Sequence, residues 1–221
     1  NPFILQALFR SYAFISSAFT LAPAHFNYIK TGKYGKANNI LPKQIAEPFV
    51  KVSKKINVYP WLDYHYAYSL GNYCKKNPKE GFNWENLNMA AKFSGLPDER
   101  GFIMLHVDIN QYSPDLVKSV ISFQKNHKTI KDTNKALSLS LRTMKKINER
   151  RQLMWIASRW KHYNDFRIFI MGIKGNEEIF GEGLVYEGVS KTPMKYRGQT
   201  GAQDNIIPMM DIFTGIINHY P

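Results

Sequence analysis

From Asp132 to about Tyr163, Leu137, Leu141, Met144, Ile147 and Met154 recur at helical spacing, which predicts one long helix with an apolar face. A helix of that length must cover its stripe with other elements, and most of the remaining chain reads as helix too. Phe3 to Ala22 is apolar on nearly all sides, which predicts a helix buried in a bundle and stopped by Pro23. His25 to Asn39, with TGKYGKANN, reads as a surface loop. Leu41 to Ile56 returns to helical spacing with Pro48 as a kink or restart, and a further helix is expected from Trp61 to Lys75, closed by KKNPKEG. Asn83 is expected to cap a short helix over Trp84 to Phe93.

GFIMLHVDINQY, from Gly101, is ambiguous between a buried helix and a strand. Ser113 and Pro114 suit the N-cap and first position of the next helix, and Asp132 suits the cap of the long one. Asp165 to Gly172 and Ile206 to Ile217 complete the helical segments, with KGNEEIFGEG as a loop after the first. The expected fold class is all-α, with an N-terminal helical part over 1–80 and a larger helical domain over 81–221.

The 221 residues are 44% hydrophobic, enough to bury a core and too apolar for a disordered chain. A single cysteine, Cys74, excludes an intrachain disulfide and fits a reducing, intracellular setting, the cytoplasm first and the mitochondrion as an alternative. Ser16, Ser17 and Pro23 interrupt the most apolar stretch, so no transmembrane segment is expected. Asn1 opens directly on an apolar pattern without an initiator Met, which reads as a cut start. Thirty Lys and Arg against 17 Asp and Glu give +13, which favours encounter with polyanions. The basic runs KVSKK, KNHKTIK and RTMKKINERR are scattered, so they read as solvated faces, with an acidic protein or nucleic-acid partner as the alternative.

His106 is the most informative ionisable residue, because a histidine in an apolar run is either hydrogen-bonded in a core or aimed into a pocket. With Asp108 it spells H-x-D, which would serve a non-haem iron site in a strand. In a helix the two side chains point about 200° apart and the pattern fails. Arg167, a lone cation amid apolar residues, needs a carboxylate, either from Asp165, Glu182 or Glu187 or from a ligand. The loop from Tyr196 to Asp204 places small residues where a flat ligand could lie against backbone, or else forms a turn and a helix cap. It is no Walker loop. Tyr64, His65, Tyr66 and Tyr68 form an aromatic belt of the kind that usually belongs to a core.

PWLDYHYAYSLGNYCKKNP (60–78), RGFIMLHVDI (100–109), RIFIMGIKGN (167–176), GLVYEG (183–188) and RGQTGAQDNIIPMMDIFTGI (197–216), in this order, resemble the indoleamine 2,3-dioxygenase family. The resemblance runs from about Pro42 to Ile217 and is most specific in GLVYEG and G-x-T-G-A-Q. It implies an all-α haem protein that inserts both atoms of O2 across the C2–C3 bond of an indole such as tryptophan, yielding N-formylkynurenine. By the same resemblance, Phe102 stacks near the indole, His106 holds the distal polar position, and Arg167 clamps the substrate carboxylate. Thr200 and Gly201 lie by the haem edge and the substrate ammonium, Gln199 and Ala202 flank the haem, and His65, Tyr68 and Ser69 line the pocket.

The chain departs from the family in having His65 where many members have Tyr, His162 before Tyr163 where they have Phe, and Gln199 where they have glycine. No metal ligand is expected within the chain: the family's proximal histidine lies in a later MPxxHRxF-like segment, and His219 matches a different, loop position. Haem is therefore expected to be held with a ligand beyond Pro221, or else to have been abandoned. The alternatives to an oxygenase are an inactive relative acting as an interaction subunit and a haem and O2 carrier. The oxygenase reading further implies that Arg167, His106 and the turn around Thr200 converge on one cavity.

Overall fold

The computed structural model describes residues 1–219 and is built almost entirely of helices. The first, α1 (Pro2–Thr31), is capped by the Asn1 side chain, which accepts the Phe3 N–H at 3.0 Å, and it ends at Gly32 in the left-handed conformation (φ 73°). It does not stop at Pro23. A proline inside a helix releases the carbonyl four residues back, here that of Phe19, and Asn38 donates its side-chain amide to that oxygen at 2.8 Å. The Asn38 backbone N–H goes to Thr20 O at 2.8 Å, so the 33–39 segment is laid along α1. By length and composition α1 could cross a membrane, yet Phe9, Ala13, Phe14, Leu21 and Ala24 on it are buried in the protein core.

A two-residue strand β1 (Ile40–Leu41) precedes α2 (Lys43–Ile56), which passes Pro48 without a break. The helix expected over Trp61 to Lys75 does not form. Asp63 accepts the N–H groups of Tyr66 and Ala67 at 3.1 and 3.0 Å and opens a single π-helical turn over Tyr64–Tyr68. Gly71 then packs so closely that a Cβ there would lie 2.2 Å from the Tyr66 carbonyl oxygen. The chain leaves as strand β2 (Tyr73–Lys75), pairing antiparallel with β3 (Leu87–Met89). The helix expected over Trp84 to Phe93 is thus one 3-10 turn (Trp84–Asn86) and a strand, and Asn83 provides no side-chain cap.

The ambiguous stretch is helical, within α3 (Pro97–Asn110). Next come α4 (Ser113–Asn126), with Tyr112 rather than Ser113 at its cap, and α5 (Ile130–Arg151), capped by Thr129 rather than Asp132 and ending well before Tyr163. The α4–α5 hairpin packs through Leu116, Ser119 and Val120 and through Ala136, Ser140 and Thr143, small residues that let the helices approach. Leu137, Leu141 and Met144, expected to face the core, lie instead on the exposed side of α5. After α6 (Met154–Ala157), α7 (Asn164–Arg167) and α8 (Glu177–Phe180), strand β4 (Val185–Tyr186) pairs in parallel with β1, and α9 (Ile206–Thr214) follows. One apolar cluster, including Phe9, Phe49, Trp61, Leu87, Ile103 and Tyr186, draws on both sides of position 80. The all-α class expected from the periodicity is the fold observed.

Candidate functional site

Helices α3, α5 and α9 border an open-sided cavity of about 570 Å³. Its walls are largely apolar, with Met144 and Ile147 from α5, Trp155 from α6, and Ile206 and Met210 from α9. Met144 of the outward stripe of α5 therefore faces the cavity, whereas Leu137 and Leu141 remain exposed outside it. His106 of α3 lines the cavity, and so does Gly201, where an added Cβ would meet nothing within 4 Å.

The His106 imidazole is set by one contact: Nδ1 lies 2.7 Å from the Phe102 carbonyl oxygen. A carbonyl only accepts, so Nδ1 carries the proton and the neutral ring keeps its Nε2 lone pair free. Burial pushes the His106 pKa down, which favours that neutral form. Tyr64 meets the imidazole edge to face (6.0 Å, 77°), and its hydroxyl accepts from Asn110 Nδ2 at 2.9 Å. Burial pushes the Tyr64 phenol well up, so it stays a neutral hydrogen-bonding group. Asn110 does not stand out in the sequence, and Tyr64 reads there only as part of an aromatic belt that belongs to a core.

Asp108 points away from this cavity. It is fully buried, accepts from Arg150 through both oxygens (Nε at 2.9 Å), and takes the Trp84 N–H at 2.9 Å. This is the helical outcome for H-x-D, and no group of three His, Cys, Asp or Glu suited to a metal occurs among the described residues.

Phe102 joins His106 to a second layer, with its ring 5.0 Å from the imidazole, 5.5 Å from Tyr163 and 5.8 Å from Phe166. Arg167 ends the short helix that follows Tyr163. It is half-buried and has no carboxylate within salt-bridge distance among the described residues. Asp165 is instead 3.1 Å from His162, and Glu187 accepts the Lys43 N–H. Burial pushes the phenols of Tyr34 and Tyr68 up, and the Arg167 charge offsets part of that rise. Tyr68 and Ser69 are buried, and the Tyr68 hydroxyl has no hydrogen-bond partner among the described residues.

The loop at 199–203 is a capping box: the Thr200 hydroxyl accepts the Ala202 N–H at 3.4 Å, and Gln203 Oε1 accepts the Thr200 N–H at 3.3 Å. The same Gln203 oxygen takes the Tyr64 N–H at 3.1 Å, which ties the loop to the π-turn. His106 and Gly201 thus share one cavity. Arg167, Phe102, Tyr68, Ser69 and the exposed Thr200 do not line it, nor does the half-buried Gln199. His65 and Ala202 line a different cleft, on the other side of the loop.

A family model described as indoleamine 2,3-dioxygenase matches residues 10–221. Indoleamine 2,3-dioxygenase 1 of Rattus norvegicus is 30% identical over 186 residues, covering 80% of this chain and 44% of its own length. Indoleamine 2,3-dioxygenase 2 of Mus musculus is 30% identical over 187 residues (82% and 45%), and indoleamine 2,3-dioxygenase acdA of Aspergillus candidus is 25% identical over 198 residues (81% and 47%). The chain spans less than half the length of these curated relatives.

Proposed function

The chain belongs to the indoleamine 2,3-dioxygenase family, and from that premise we propose that the α3–α5–α9 cavity is the distal half of a haem-dependent dioxygenase site for tryptophan or a related indole. The residues present fit a porphyrin on this side: the walls are apolar, Gly201 leaves open space where a side chain would intrude, and Arg151 stands at the lining to meet a carboxylate. Haem, when bound, supplies activation of O2 for insertion across the indole C2–C3 bond.

The protein's own residues bind and orient. Nε2 of His106 accepts the indole N–H, because Nδ1 is committed to Phe102 O. Phe102, outside the cavity lining, backs the imidazole with its ring 5.0 Å away, and Arg151 on the lining offers its planar fork to a carboxylate. The apolar side chains of α5 and α9 give the indole ring a surface to pack on. The observation that carries the reading is the free imidazole acceptor in an apolar cavity beside a side-chain-free position. The test uses the longest natural form of the protein, loaded with haem and mixed with tryptophan, reductant and O2. A Soret band with accumulating N-formylkynurenine absorbance is expected, and a Soret band without product from any of several indoles overturns the proposal.

A further inference from the structure

On the other side of the 200–205 loop lies a cleft of about 730 Å³. One wall is the stacked pair of Tyr59 and Tyr196, with ring centroids 5.3 Å apart at 29°. The buried indole of Trp61 also lines it, held by donation from Nε1 to Met171 O at 3.1 Å. Lys174, Lys195 and Arg197 project at the same cleft, and none has a salt bridge among the described residues. Two carboxylates accompany these cations, Asp63 on the lining and Glu177 near Lys174 and Lys195. Asp63 caps the π-turn through the N–H groups of Tyr66 and Ala67, and Glu177 accepts the Gly175 N–H at 3.1 Å. The cleft therefore combines flat aromatic surface with an excess of positive charge, three cations against two carboxylates.

The wall that separates it from the α3–α5–α9 cavity is thin. Ala202 and Gln203 face the cleft, whereas Gly201 and Asp204 face the cavity. We propose that this cleft is a second ligand site, separate from the cavity, for a small carboxylate that carries a flat aromatic ring. Arg197 and Lys195 take the carboxylate, and the Tyr59–Tyr196 pair provides the surface for the ring. Phosphate alone lacks the ring, and a neutral aromatic lacks the charge.

The test is calorimetric titration of the protein with 2-naphthoate, beside 2-naphthol, cyclohexanecarboxylate and inorganic phosphate. Saturable binding of naphthoate is expected, with both organic controls at least about tenfold weaker. Arg197→Ala, Lys195→Ala and Tyr59→Ala, all at exposed positions, each weaken naphthoate about tenfold while thermal unfolding stays as in the parent. His106→Gln, in the other cavity, leaves the naphthoate affinity unchanged. The proposal is overturned by absence of saturable binding, by affinity insensitive to the three substitutions, by loss of binding in His106→Gln, or by phosphate binding as tightly as naphthoate.

Discussion

Gly172 and Gly198 meet backbone to backbone: a Cβ on Gly198 would fall 2.2 Å from the Gly172 nitrogen, and a Cβ on Gly172 would fall 2.2 Å from the Gly198 nitrogen. This contact seats the 199–203 loop on the segment that follows Arg167. Alanine at either glycine pushes two rigid backbones apart, and a loss of about 2 kcal/mol in denaturant unfolding is expected. Gly201→Ala, with open space at its Cβ, should change stability by no more than about 0.5 kcal/mol.

Asn38 repairs what Pro23 removes from α1. Asn38→Ala leaves the Phe19 carbonyl without its donor and should cost about 1–2 kcal/mol. In a Pro23→Ala background the helix regains its own N–H, so the same change should cost much less. A double-mutant cycle from urea midpoints reads the coupling, and additive costs would show that the two residues act independently.

Arg150 neutralises a carboxylate that has no access to water. Arg150→Ala strands Asp108 in the interior, and about 3–5 kcal/mol of stability should be lost in chemical denaturation at neutral pH.

Burial holds the folded-state pKa of His106 below its ordinary value of roughly 6.5. The unfolded chain therefore takes up the proton first as pH drops. The His106 contribution is fully present above about 6.5 and is lost as pH falls from there through the folded pKa. Unfolding midpoints at a series of pH values should show this slope in the parent, and it should be weaker in His106→Gln.

Much of the architecture is written locally, and what is not depends on distant partners. The helical class follows from apolar spacing in α1, α2 and α5, and the helical state of α3 settles H-x-D against a shared metal. Pro23 reads as a stop because its compensation comes from Asn38, fifteen positions on. Trp61 to Lys75 reads as helix because the spacing does not register Asp63 capping a π-turn or Gly71 pressed against the Tyr66 carbonyl. At the site, His106 and the 200 loop are visible as residue types, whereas Tyr64 and Asn110 gain meaning only once α3 and the π-turn face each other. The stripe of Leu137, Leu141 and Met144 is legible as a face, but periodicity carries no information about whether a face meets a core, a cavity or solvent.

The π-turn also acts as a divider. Its bonds from Tyr68 N–H to Asp63 O and from Ser69 N–H to Tyr64 O span one residue more than an α-turn, and within it Tyr64 is turned to the α3–α5–α9 cavity while His65 is turned to the neighbouring cleft. Excising one residue there would tighten the coil and swing the following side chains by about 100°. Neighbouring residues of one turn thus serve two different chambers, the phenol of Tyr64 in one and the imidazole of His65 in the other.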